Sequence, residues 1–386
     1  MSAGATPEGC PRVLAFLTFD PWPIRSGTAR RLEALLRALA GVSELTVVIA
    51  VPEPSIDLPS YEVRVVRVPR SRGGLRTLLS AARHAPGARP VTAALHDRAE
   101  VRSALADVVR EARPQLVFTH GIAGLELVRR VVPPSSVVLD ADTIDPLTFR
   151  RVARDTTGLT RWLWGVDALL LPWWHRRWLS RVAAVSVVSE HDRALYTRMA
   201  PGARFLVVPN GVDLPEETCA GEAMGPLLFV GTMDYPPNAS AVVWFGQKAL
   251  PLLPSSTLRV VGSGAVPASR GVEAAGFIHD LGPEWRRASA LVVPLRAGGG
   301  TRLKVLEAMA HGLPVISTEI GVEGLPVEPG VHYLPAETPQ EFAEQCLRVH
   351  SDDVLRRHLS RAGRELVAGM TWDVCARPLA DLVTAR

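Results

Sequence analysis

The stretch from Arg296 to Thr318, RAGGGTRLKVLEAMAHGLPVIST, constrains this chain more than any other. Leu291 to Leu295 (LVVPL) reads as an apolar strand. Gly298, Gly299 and Gly300 then permit positive φ and close approach of a ligand to the backbone. Thr301 is placed to cap a helix that runs to about His311 and stops at Gly312, with Pro314 beyond. The free amides at such a helix start, with its dipole, favour an anion, and Arg302 and Lys304 are expected to add full positive charges within the first turn. A diphosphate fits that description. Helical side chains lean toward the N-terminus, so Glu307 reaches back toward whatever the turn holds. A carboxylate there accepts hydrogen bonds from the two adjacent hydroxyls of a ribose. Taken by itself, Lys304 with Glu307 is also an ordinary i,i+3 surface pair, and glycine turns before helices are common.

The remainder of the chain sets the context. With 386 residues, 47% apolar, it can bury large cores and is expected to form two or three globular domains. Only Lys248 and Lys304 are lysine among 43 basic residues, a skew that fits a high-GC, bacterial genome and leaves a net charge of only +4. Neither the charge nor any dense basic run points to nucleic acid. Cys10, Cys219, Cys346 and Cys375 lie far apart, without metal or disulfide spacing, and read as free thiols of a cytoplasmic protein. Val13 to Phe19 resembles a first strand more than a targeting segment, and no apolar run reaches the ~18 residues of a spanning helix.

Strands and helices alternate along the first half, which predicts a parallel, doubly wound sheet. Strand Val13 to Phe19 leads through DPWPIRSG into the amphipathic helix Thr28 to Ala40. Further strands are expected at Leu45 to Ala50, Tyr61 to Pro69, Leu116 to Thr119, Val137 to Ala141 and Val185 to Ser189, with a helix over Ala99 to Ala112. Ligands bind beyond the carboxyl ends of such strands, which favours Gly27, His120 and Asp142. Pro209 to Pro226 is turn-rich and acidic and reads as a linker. A second series follows: strand Leu227 to Gly231, helix Ala239 to Ala249, strands Thr257 to Gly262 and Val272 to Ile278, the glycine unit, strand Pro314 to Ser317, and helices from Pro339 to Ala368. The expected division is 1–208, linker 209–226, 227–369, and a separate helical tail 370–386.

Several motifs resemble the GT-B glycosyltransferases, and glycosyltransferase family 4 in particular: VVPNGVD at Val207 to Asp213, LLFVGTMDYPPNASAVVWF at Leu227 to Phe245, GFIHDL at Gly276 to Leu281, and GGGTRLKVLEAMAHGLPVIST. The resemblance covers the C-terminal half; in the N-terminal half it rests on Val13 to Ala40 and on VSVVSEHD at Val185 to Asp192. It implies two Rossmann-like domains facing across a cleft, with the C-terminal helix crossing back to the first. It also implies a retaining transferase with a nucleoside diphosphate sugar as co-substrate and no metal or other cofactor. The donor-binding positions it implies are Gly27, Gly231, Thr232, Ile278, Gly299, Gly300, Thr301, Arg302, Leu303 and Glu307, with His120, Arg302 and Lys304 at the reacting centre. Two positions depart from the family pattern. A second carboxylate expected eight positions before Glu307 is Gly299, and the Arg and Lys that usually follow the first strand of this domain are Thr232 and Asn238. Arg302 and Lys304 are then left to supply the compensating charge.

Asp140, Asp142 and Asp145 (LDADTIDP) are candidates for acceptor hydroxyls, or else turn and helix caps. Residues 161–181 hold five of the nine tryptophans, interleaved with arginine. That mixture suits a membrane interface and a lipid-linked acceptor, and equally suits a packed helix pair or a sugar-stacking wall. The first-choice acceptor is a cell-envelope polysaccharide or glycolipid, with a secondary metabolite of the aminoglycoside type second. An epimerase on the same fold lacks its carboxylate and histidine constellation here. A noncatalytic sugar-nucleotide-binding subunit is supported only by Gly299.

Overall fold

The computed structural model describes residues 10–52, 57–69, 90–143, 145–155, 158–216, 218, 221–299 and 302–386. Contacts divide the chain into two compact units, with the main breaks between Pro209 and Asn210 and between Cys375 and Ala376 and the short segment Arg154–Thr157 grouped with the second.

In the first unit β1 (Arg12–Leu17), β2 (Glu44–Val51), β3 (Arg64–Pro69), β4 (Leu116–His120), β5 (Val137–Ala141), β6 (Ala184–Val187) and β7 (Phe205–Val207) form one parallel sheet in the order β3-β2-β1-β4-β5-β6-β7. In register, Val13 lies beside Leu45 on one side and Leu116 on the other. Both faces are covered, which explains the unbroken apolar runs of β1 and β2. One face carries Leu14, Phe16, Val48 and Val117. The other carries Val13, Ala15, Leu17, Val47 and Ile49 under Leu32, Leu35, Leu36 and Leu39 of the helix Gly27–Ala40. Ala376, Leu379, Leu382 and Val383 of the helix Trp372–Thr384 complete that second core.

The second unit repeats the plan with β8 (Leu227–Val230), β9 (Leu258–Val261), β10 (Val272–Gly276), β11 (Ala290–Val293), β12 (Val315–Ser317) and β13 (Leu334–Pro335), ordered β10-β9-β8-β11-β12-β13 and parallel throughout. Strand order reverses between β1 and β4 in the first sheet and between β8 and β11 in the second. At such reversals the connections leave to opposite faces and open a crevice beyond the strand ends. His120 ends β4, Gly231 follows β8, and Arg296 to Gly299 follow β11, so the sequence-selected residues fall at these two points. The helix expected over Ala239 to Ala249 starts earlier, at Pro236, and ends in a π-turn, Phe245–Ala249. The strands Phe205–Val207 and Leu334–Pro335 and the helices Val91–His96 and Gly121–Val128 were not anticipated; all are short.

Candidate functional site

The second unit's site is built on the turn after β8. Gly231 N donates to Val261 O at 2.9 Å and Met233 N to Ser263 O at 2.7 Å, which ties this turn to the end of β9. Ser263 Oγ donates to Thr232 Oγ1 at 2.9 Å, and Asn238 Nδ2 donates to Thr232 O at 2.9 Å. The second bond fixes the Asn238 amide so that its Oδ1 accepts from Lys304 Nζ at 3.1 Å. The Lys304 ammonium also lies 4.1 Å from the centroid of the Phe229 ring, within cation–π range. A Cβ on Gly231 would stand 2.7 Å from Asn238 Nδ2 and 2.9 Å from Lys304 Nζ, so only glycine leaves this arrangement undisturbed. Lys304 therefore reaches the Asn238 that stands where a family lysine is expected, and brings its charge there from a different helix.

Two properties of these cations are not readable from local spacing. Lys304 is not an unperturbed surface cation paired with Glu307. Burial, and secondarily the Arg302 charge, push its pKa down to about 7 against the raising effect of Glu307. Nor is Arg302 a first-turn side chain offered to solvent. It is the N-cap of the helix Leu303–His311 and is buried, and its guanidinium donates to the Gly299 and Ile320 carbonyls. Its role here is to peg the glycine turn to the segment after β12. Gly298, at φ 112°, makes the close approach: a Cβ there would meet Tyr235 Oη at 3.1 Å and the Arg302 guanidinium at 3.3 Å. Gly300 and Thr301, with the expected Thr301 cap, lie outside the described residues. Leu303 is buried, so only its backbone faces the turn. Glu307 is half-buried and close enough to Lys304 to act on its charge. Ile278 is half-buried in the loop after β10.

At the first unit's reversal the centre is a buried carboxylate. Asp140 accepts from Arg31 Nη2 at 2.6 Å, Arg31 Nε at 3.2 Å, Ser186 Oγ at 2.6 Å and His120 Nδ1 at 3.0 Å. Arg31, itself 1% exposed, also donates to Val208 O at 2.9 Å. Burial raises the Asp140 pKa, but the Arg31 charge and His120 outweigh it and hold the carboxyl well below the usual carboxylate range. With its lone pairs engaged and no exposed surface, Asp140 is not an acceptor-hydroxyl ligand; it orients His120. Burial lowers the His120 pKa, yet Asp142 and Asp140 outweigh it and the net direction is upward. Its Nε2 edge faces Asp142 Oδ1 at 3.8 Å, and the Phe19 ring packs against the imidazole edge-to-face at 5.8 Å. Asp142 is half-buried and accepts from Thr28 Oγ1 at 3.5 Å. Gly27 is the exposed first residue of its helix, capped by Ser26. The Asp145 side chain lies outside the described residues.

Arg31, Ser186, Asn238 and Ser263 were not selected from sequence as contributors. The available signal for Arg31 was a charge among the buried leucines of an amphipathic helix, since Leu32, Leu35 and Leu39 share its buried side. Among the described residues no three His, Cys, Asp or Glu side chains come together as metal ligands.

Comparison with known proteins agrees with this architecture. Residues 226–352 match the family described as Glycosyl transferases group 1. A phosphatidyl-myo-inositol mannosyltransferase of Mycobacterium leprae is 26% identical over 225 residues, 53% of this chain and 58% of that protein. The chain thus spans little more than half the length of that relative. Over the whole fold, sucrose-phosphate synthase from Thermosynechococcus elongatus superposes with a TM-score of 0.73 at 19% identity, covering 97% of this chain and 98% of the other. Anabaena HepE in complex with UDP and glucose gives 0.67 at 12% identity, covering 97% and 100%. The two sheets share the GT-B fold of these neighbours, and residues 226–352 carry the likeness to the group 1 glycosyltransferases.

Proposed function

We propose that this protein is a retaining, metal-independent glycosyltransferase that moves a sugar from a nucleoside diphosphate sugar, of the UDP type, to a hydroxyl of a cell-envelope glycan or glycolipid. The observation that carries the proposal is the Lys304 ammonium, held by Asn238 against the Gly231–Thr232 turn at the strand-order reversal. A cation kept partly out of water beside a glycine turn is arranged for phosphate oxygens, where electrostatic stabilisation is strongest. Anabaena HepE, with the same fold, is known in complex with UDP-glucose, which supports the choice of base.

In the proposed reaction the acceptor oxygen attacks the anomeric carbon from the face that the diphosphate leaves. The carbon–phosphate-oxygen bond breaks with its electron pair going to the diphosphate, and that oxygen takes the acceptor's proton. Lys304 stabilises the growing negative charge, Arg302 holds the glycine turn in place, and Glu307 accepts from the ribose hydroxyls. His120, fixed through Nδ1 by Asp140, is the first unit's candidate contact for the sugar. The protein works from the cytoplasm, at the inner face of a membrane when its acceptor is lipid-linked. A donor-hydrolysis and binding screen across UDP, GDP and dTDP sugars, repeated with Glu307→Ala, tests this. A UDP sugar is expected to bind and turn over slowly without acceptor, with loss in the variant. No binding by any donor, or a variant equal to wild type, defeats the proposal.

A further inference from the structure

The helix Gly158–Trp178 has one face in the first unit's core and another that is exposed among the described residues. Asp167, Leu171 and Trp174 point inward: Asp167 accepts from Val91 N at 2.5 Å and Thr92 N at 2.9 Å, and Trp174 is 1% exposed with its indole N–H directed at Glu126. At 100° per residue, Trp162, Leu169 and Trp173 fall within about 40° of one line on the opposite side. They are 61%, 74% and 45% exposed, which makes a solvent-facing stripe of large apolar side chains. It runs roughly 16 Å along the axis.

The rim of this stripe is cationic. Arg161 lies at its start, and Arg176, Arg177 and Arg181 lie at its end, all exposed. Trp178 gathers the latter group: the Arg177 and Arg181 guanidinium carbons stand 5.6 and 5.1 Å from its ring centroid. Asp167, the helix's one acidic residue, is fully buried. An isolated surface helix normally shows charge along its solvent face, and this one shows indole and leucine bounded by arginine alone. That is the pattern of a helix lying in a lipid interface, with the rings at headgroup depth and the guanidiniums on anionic phosphates. A second copy is a poor occupant, because it would set the same unneutralised arginines against each other.

We infer that the face made by Trp162, Leu169, Trp173 and the flanking arginines docks the first unit on an anionic phospholipid bilayer. This rests on the proposed function only for its purpose, the delivery of a lipid-linked acceptor; the docking is measurable without any sugar. Vesicle flotation with the full chain tests it, using phosphatidylcholine alone and an equal mixture with phosphatidylglycerol. The protein is expected to float with the anionic vesicles and not with the neutral ones. The triple variant Trp162→Ser, Leu169→Ser, Trp173→Ser is expected to fall to background. Arg176→Gln with Arg177→Gln is expected to weaken partitioning roughly 30-fold, about fivefold per charge near an anionic surface. All these side chains are solvent-facing, and UDP binding and far-UV circular dichroism check that each variant is folded. No flotation by wild type, a triple variant that floats normally, or a wild-type dimer that the triple variant dissociates would overturn the inference. UDP binding without flotation would leave the glycosyltransferase proposal standing and remove this one; flotation without UDP binding would do the reverse.

Discussion

Replacing Lys304 by methionine is expected to make the empty protein more stable and to weaken the donor site. Methionine keeps the length of the stem over Phe229 and removes the charge. In the folded protein the Lys304 pKa falls from its ordinary 10.5 to about 7, chiefly through burial. That difference converts to about 5 kcal/mol at 1.36 kcal/mol per pH unit. Lys304 keeps partial solvent access, so this is an upper limit, and about 2 kcal/mol is the working figure after solvent screening. A domain of this size gains roughly 2–4 °C per kcal/mol, so the second unit's melting step should rise by roughly 5 °C. The sign with pH is specific. An amine whose folded pKa is depressed has its full cost at and below about pH 7, and the cost fades as pH rises toward 10.5. The variant's advantage should therefore shrink steadily over that window. Calorimetry at several pH values reads the stability, and titration with UDP reads the function, where a charged hydrogen bond worth about 2 kcal/mol predicts a loss of roughly 30-fold. A variant less stable than wild type at pH 7, or a gap that does not close with rising pH, refutes the reasoning.

Other expectations follow from the same geometry. Donor binding should draw a proton onto Lys304 above neutral pH, so UDP affinity should fall between about pH 7 and pH 9 in wild type and stay flat in Lys304→Met, as isothermal titration would show. Gly231→Ala places a Cβ 2.9 Å from Lys304 Nζ, and should cost UDP affinity roughly tenfold while leaving far-UV circular dichroism unchanged. Arg31→Leu leaves Asp140 buried without its main cation and should destabilise the first unit by about 3–5 kcal/mol in denaturant unfolding. The His120 imidazole, with its pKa raised, should titrate above 6.5 by NMR; its stabilising contribution is complete below 6.5 and lost as pH rises through the raised value. Asp140→Asn should move that titration down.

Much of the plan was legible in the sequence because both sheets are buried on two faces, and continuous apolar runs such as Val13 to Leu17 and Leu291 to Val293 have few other solutions. Helix ends with strong stop signals were readable too: His311 is the last residue before Gly312, which takes φ 79°. The short edge strands Phe205–Val207 and Leu334–Pro335 were not, since two or three residues carry no period. Residue types at the site were readable, but their neighbours were not. Lys304 pairs in sequence with Glu307 and in space with Asn238, 66 positions away. Asp140 lies in β5 at the head of an acidic motif, yet Arg31, 109 positions earlier, decides its role. Such long-range pairings fix which charges stay in water, and local spacing does not record them.

The central claim is that the Gly231–Thr232 turn and Lys304 grip a diphosphate while Glu307 holds the ribose. A crystal structure of the full chain with UDP tests it most directly. The account predicts phosphate oxygens within hydrogen-bond distance of Lys304 Nζ and the Gly231–Thr232 backbone, and the ribose hydroxyls on Glu307. UDP bound elsewhere, or a diphosphate that leaves Lys304 on Asn238 alone, would contradict it.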